Sequence, residues 1–330
     1  VKIFYAFLAI ILLLFIAYTG VGVFGFYLIF GVVMPYIAFA VFIFGTIYRI
    51  IRWAKTPVPF CVPTVCGQQK SLPWIKANNI ESPFNTAGVI GRMALEVLFF
   101  RSLFRNDHVE LKGKGKLIYY ENKFLWLGGL LFHWSLLFIL LRHLRFFTEP
   151  VPSSILFLQN IDGIFQFGIP ALLITDTLIL IALTYLFLRR VVNPQTRYIS
   201  LPSDYFAILL IAGIVITGIL MRYFFKVDLL EVKKMSMGLV GFHPVAATGI
   251  GLTFYLHLFL VSTLLVYLPF GKIAHMAGAF FSPTRNLMNN SRMARHINPW
   301  NYPVKVHTYA EWEDEFRNAM KEVGLPVEKE

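Results

Sequence analysis

The chain has 330 residues, 57% of them apolar and only 15% charged, with a mean hydropathy of +0.64, where soluble domains carry about 25% charged residues. That composition places it in a bilayer and puts its net charge of +12 at membrane surfaces rather than on a nucleic-acid-binding face. It excludes a soluble enzyme, a disordered tail and, with two cysteines, a disulfide scaffold; long unbroken apolar runs exclude an alternating outer-membrane barrel.

A hydrocarbon core of about 30 Å asks for roughly 20 apolar residues in helix, because lipid offers no partner to an open backbone amide. Six segments qualify: about Ile3 to Tyr18, Tyr27 to Ile51, Phe124 to Leu144, Ile164 to Leu188, Tyr205 to Phe224 and Ile250 to Phe270. The first is the weakest. No small-x-small cleavage site precedes Gly20, so it is expected to be a retained helix that turns at Gly20, Gly22 and Gly25 into the second. Between the second and third spans, a loop over 53–122 carries Cys61 and Cys66, which lack two further metal ligands nearby and read as ordinary thiols. In the same loop, the apolar and basic residues from Thr86 to Arg105 predict a helix lying in the membrane interface.

The third span reads LLFHWSLLFILLRH and contains His133 and His143, with Arg142 and Arg145 at its end. Asp162 and Gln166 stand at the start of the fourth span, which also contains Asp176, a residue that is costly against lipid unless paired. The sixth reads HLFLVSTLLVYLPFGKIAH, from His257 to His275. Beyond it, Thr308 and the carboxylates after it predict a solvated helix ending at Gly324. With the first span starting inside, 24 of the 30 Lys and Arg residues fall on the inner side, so both ends of the chain are expected to face the cytoplasm. The domain reading is an extra helix and turn over 1–26, a membrane domain over 27–281, and a tail over 282–330 that, with the loop, offers a cytoplasmic docking surface.

His133 and His143 lie about 15 Å apart along their helix, and His257 and His275 about 27 Å along theirs. The two spans run antiparallel, which sets His133 level with His275 on the inner side and His143 level with His257 on the outer side. Two such pairs suit bis-imidazole haem iron with no open position, and hence electron transfer. The differing rises leave an offset for tilt or a bend at Pro269 and Gly271 to absorb. Any single imidazole can instead bond a carbonyl, and His243, fourteen residues before His257, is an alternative to His275. A non-redox anchor or transporter also stays open, although only Asp176 and Pro170 hint at the broken or charged helices it needs.

The two histidine segments, with the Pro150 loop after the first and P-F before the last histidine, resemble the cytochrome b (gamma) subunits of respiratory nitrate reductases, from about Tyr27 to Pro283. The extra first helix, the loop motif PTVCGQQKSLPW and the C-terminal YAEWEDEF resemble the DsrM family, the cytochrome b subunits of the sulfite-reductase-linked Dsr electron-transfer complex. The resemblance implies an all-α integral membrane fold, with five of six transmembrane helices forming a dihaem cytochrome b bundle. It also implies two haem b groups and a menaquinone/menaquinol site. The implied partners are a cytoplasmic iron-sulfur DsrK-like subunit resembling heterodisulfide reductase, and further membrane and periplasmic Dsr subunits. Menaquinol is expected at the outer haem, near Arg142, Asp162 and Gln166, with Arg142 and Arg145 as candidate partners for haem propionates.

Overall fold

The computed structural model describes residues 1–56, 67–163, 171–245, 248–282, 285–290 and 306–329. Cys61, Cys66, Gln166 and Pro170 lie outside the described residues. Helix α1 (Lys2–Ala17) continues through a π-turn, Tyr18–Val23, and reverses at Gly25, whose φ of 66° favours glycine. A second π-turn, Ile29–Val33, leads into α2 (Met34–Ala54). The loop after α2 then forms α3 (Thr86–Phe99), capped by the Asn85 side chain accepting from Gly88 N, and the short α4 (Arg101–Phe104).

The expectation of an all-α chain needs one correction. Strands β1 (Asp107–Lys112) and β2 (Lys116–Glu121) pair antiparallel around Gly113 and Gly115. Val109 opposes Tyr119 and Leu111 opposes Leu117, an apolar period of two that a helix would scatter round its circumference.

Next come α5 (Lys123–His143), α6 (Ser153–Asp162), α7 (Ile174–Val192), α8 (Pro194–Ile199) and α9 (Pro202–Tyr223). They are followed by α10 (Leu229–Val240), α11 (Leu252–Tyr267), α12 (His275–Phe280) and α13 (Tyr309–Glu322). Asp162 therefore closes α6 instead of opening the fourth span; its carboxylate accepts from the Thr175 amide and so caps α7 from outside. The sixth span is not straight. It stops at Tyr267 and resumes as Lys272–Phe280 after a 70° bend, because Pro269 has no N–H to continue the ladder.

Among the described residues four helical segments are long and apolar enough to cross a membrane: Lys2–Val23, Ile29–Ala54, Lys123–Phe146 and Pro202–Tyr223. The bent pair makes up to five. Helix α7 has 19 residues and carries Asp176, Arg189 and Arg190. It packs between α5 and α9; α9 also meets α1 and α11, and α11 meets α2. This order leaves α5 and α11 bridged by α7 and α9 rather than closely packed on each other. One end is sealed by Ala17, Val21, Phe30, Val232, Met235 and Tyr255, and the α7–α9 seam by Ile179, Leu183 and Ile211. In lipid such contacts hold by dispersion and close fit, since the surrounding tails are equally apolar.

The tail helix α13 begins with a reciprocal box in which Thr308 Oγ1 accepts from Glu311 N and the Glu311 carboxylate accepts from Thr308 N. The buried Glu313 carboxylate accepts from Glu328 N at 2.8 Å and Lys329 N at 3.0 Å, folding the following segment back along the helix.

Candidate metal centre

Helix α5 supplies His133 and His143, α11 supplies His257, and the chain beyond the bend supplies His275. The imidazole rings meet in two pairs. His133 and His275 have centroids 5.9 Å apart with planes at 80°, and His143 and His257 have centroids 6.4 Å apart with planes at 9°. With metal–nitrogen bonds of about 2 Å, two imidazoles on opposite sides of one iron place their nitrogens about 4 Å and their centroids about 6 Å apart. Both pairs fit that spacing, and rotation about the metal–nitrogen axis permits either interplanar angle.

The second ring nitrogen is accounted for in every case. His133 Nδ1 lies 2.7 Å from the Gly129 carbonyl, His143 Nδ1 2.7 Å from the Ile139 carbonyl, and His275 Nδ1 3.1 Å from the Lys272 carbonyl. A carbonyl has no hydrogen, so each Nδ1 carries the proton and each Nε2 keeps a lone pair. His257 Nδ1 lies 2.9 Å from Thr217 Oγ1, whose own hydrogen is directed to the Gly213 carbonyl at 2.8 Å or the Ile214 carbonyl at 3.0 Å, leaving the oxygen as acceptor. Such Nδ1–H bonds orient metal-binding imidazoles and raise their basicity. Gly218 lies against the His257 ring, where a Cβ would make an ordinary contact at 3.4 Å from Cε1. Phe100 and Phe132 flank His133 edge-on, with centroids at 4.9 and 5.0 Å. His243 sits after α10, its Nδ1 2.6 Å from the Gly241 carbonyl, and is not brought against any of the four among the described residues.

One turn from His143, a buried polar network joins three helices. Arg142 Nη1 lies 3.0 Å from Asp162 Oδ2, and Nη2 lies 2.9 Å from Asp176 Oδ1. Asp162 also accepts from Thr175 N at 2.9 Å and Thr175 Oγ1 at 2.7 Å, and Asp176 accepts from the Tyr223 hydroxyl at 2.9 Å. Arg145 donates to Gln159 Oε1 at 3.0 Å and lies over the Phe146 ring. An apolar cleft of about 310 Å³ between α5, α6 and α7 is lined by Trp134, Phe138 and Leu178, with Ser135, Asp162 and Thr175 as its polar groups. It opens on a different face of α5 from His133.

Sequence reasoning placed the four imidazoles but missed Thr217, Thr175 and Tyr223. Thr217 stands 40 residues from its imidazole, and a mid-span threonine by itself signals only a bond to its own helix. Among the described residues no three His, Cys, Asp or Glu side chains converge as a protein-only metal cage, whereas a haem asks the protein for two ligands.

The family model of the nitrate reductase gamma subunit matches residues 89–296. The chain is 46% identical over 279 residues to the Hdr-like menaquinol oxidoreductase cytochrome b-like subunit of Archaeoglobus fulgidus, spanning 82% of this chain and 83% of that one. It is 40% identical over 274 residues to the protein of the same description from Archaeoglobus profundus, 81% of each. The chain is a multi-pass membrane protein belonging to the nitrate reductase gamma subunit family.

Proposed function

We propose that this chain is a dihaem cytochrome b that exchanges electrons between menaquinol and a cytoplasmic iron-sulfur subunit resembling heterodisulfide reductase. The observation that carries the reading is the geometry of the four imidazoles: two pairs at bis-ligand spacing, with every Nδ1 held by an acceptor. The names of the two Archaeoglobus relatives support the quinol and the cytochrome. His133 and His275 hold the inner haem, His143 and His257 the outer. Haem iron held by two imidazoles supplies reversible one-electron transfer without an open site for oxygen.

In this reading six helices cross the cytoplasmic membrane, α7 with its preceding segment being the one whose charges disguise it. The basic loop over 53–122 and the tail over 282–330 face the cytoplasm and dock a DsrK-like partner, as in the DsrM resemblance, with sulfur compounds as the distal substrate. The extra helix and turn occupy 1–26 and the dihaem domain 27–281. Menaquinol binds at the outer end, where the cleft walls Trp134 and Phe138 take an isoprenoid tail and Asp162 meets the ring hydroxyls; the sequence adds Gln166, which lies outside the described residues. Arg142 pairs with Asp162 and Asp176 beside that site and links it to the turn of α5 bearing His143. Arg145 lies at the same end for a propionate.

The test is a visible spectrum with pyridine haemochrome quantification of the purified chain, expected to give two haem b per chain. His143→Ala and His257→Ala should each remove one haem and leave the other. A folded, haem-free preparation would overturn the reading, and loss of a haem in His243→Ala with both retained in His275→Ala would transfer the ligand role. Slower haem reduction by a menaquinol analogue is expected in Asp162→Ala and Gln166→Ala; unchanged rates in both would move the quinol site elsewhere.

A further inference from the structure

The bend after α11 breaks the helical ladder near Pro269 and Gly271 and leaves their carbonyls in an apolar setting, where an open acceptor is costly. Arg49 of α2 serves both: its Nη1 donates to the Pro269 carbonyl and, at 2.9 Å, to the Gly271 carbonyl. The same face of α2 carries Gly45 one turn before and Trp53 one turn after, a spacing of four that keeps all three in line. A Cβ on Gly45 would stand 2.9 Å from Pro269 Cβ and 3.3 Å from the Phe270 ring, so hydrogen alone admits the break at that distance. Trp53 stacks beneath the Arg49 guanidinium at 5.0 Å and meets Phe281 at 6.3 Å, while a Cβ on Gly278 would lie 3.5 Å from it. These contacts, from Pro269 to Phe281, bracket His275. The 70° bend is what brings that ring to 5.9 Å from His133.

We propose that this stripe of α2, centred on Arg49, is the template that sets His275 in place, making Arg49 a positioning residue for the inner imidazole pair. The proposal rests on the reading of His275 as a haem ligand. It also means that the inner site depends on a helix lying before residue 89, outside the segment matched by the family model. Two donated bonds from a rigid guanidinium fix the direction in which the chain leaves α11, and the close approach at Gly45 fixes how near α2 it runs.

The experiment uses the full chain with Arg49→Gln, Arg49→Lys and Gly45→Ala. Three quantities are measured: haem content, the low-spin ferric electron paramagnetic resonance signals, and amide hydrogen exchange over residues 268–281. Arg49→Gln is expected to retain the inner haem about tenfold more weakly, with a shifted inner signal and an unchanged outer one. Exchange across 270–281 should quicken about tenfold, with α5 and α9 unaffected. Arg49→Lys should recover most of the inner signal, because an ammonium still donates to both carbonyls, and Gly45→Ala should shift that signal without loss. An inner signal and exchange pattern unchanged in Arg49→Gln would overturn the proposal, as would equal loss of both haems, which marks general packing. Were the wild-type chain to carry no haem, the ligand reading would fall on its own. Exchange over 268–281 would still decide the role of Arg49: faster in Arg49→Gln supports it, unchanged overturns it.

Discussion

In the proposed dihaem reading, Thr217 shows how much of a metal ligand's behaviour lies one atom beyond it. Its oxygen is the acceptor for His257 Nδ1–H, whereas the other three imidazoles use carbonyls that no side-chain substitution removes. Thr217→Val keeps the shape and deletes the side-chain acceptor, leaving the buried N–H only the Ile214 carbonyl. The outer haem is expected to bind about tenfold more weakly, and its potential to shift, with the inner haem unchanged; Thr217→Ser should restore both. Redox titration of the two haems checks this. Phe100 is a second case. It holds a left-handed φ of 51°, which is strained for an aromatic residue, while Trp126 and Trp134 donate to the Phe99 and Leu98 carbonyls just before it. That clamp sets the Phe100 ring against His133, so Phe100→Gly is expected to relieve the strain yet alter the inner haem's resonance signal.

At the scale of elements, α5, α6 and α7 are joined by Arg142 between Asp162 and Asp176. Removing the cation alone strands two buried carboxylates, so Arg142→Met is expected to destabilise the bundle by about 3–5 kcal/mol. Adding Asp162→Asn and Asp176→Asn should recover much of the loss, read as thermal unfolding in detergent. In the loop between α2 and α5, Glu81 binds Arg101 at 2.7 Å and also Arg105. Burial pushes the Glu81 carboxyl up, but the Arg101 hydrogen bond and the charges of both arginines hold it below the ordinary carboxylate range. A lowered folded-state value makes this contribution complete above the unfolded carboxylate's range and lost as pH falls through the folded value. Glu81→Gln should therefore lower the melting temperature at pH 7, by about 1 kcal/mol or less in stability, and match wild type in strong acid. A pH series of melting curves for the two proteins tests it.

For the molecule as a whole, the loop over 53–122 carries nine Lys and Arg against five Asp and Glu, whereas the tail over 282–330 balances seven against seven, and within it α13 is tied to its own downstream segment through Glu313. In the proposed orientation they form the cytoplasmic surface that receives the iron-sulfur partner. Truncation after Phe281 is expected to release that partner while both haems remain. Co-purification with and without the tail measures it, and a partner retained at normal strength would make the tail incidental.

The membrane-spanning class and the start of α13 at Thr308 were legible in the sequence, because each depends on neighbours in the chain: apolar run length and a local cap. The bend at Pro269 was anticipated as one way to absorb the offset between the two histidine intervals. Its 70° extent and its seat on Gly45, Arg49 and Trp53 were not, since α2 lies more than 200 residues upstream. The hairpin over Asp107–Glu121 escaped because its strands are short and only the first alternates polar with apolar residues. Asp162 was visible as a polar residue before a span, but whether it caps, pairs or lines a cleft depended on where Arg142 and Thr175 came to rest. Local chain chemistry determined which groups stand on which apolar segment; only tertiary packing decided which of them meet, because a hydrogen bond or ion pair between helices is fixed by rotation and approach, quantities that no single segment encodes.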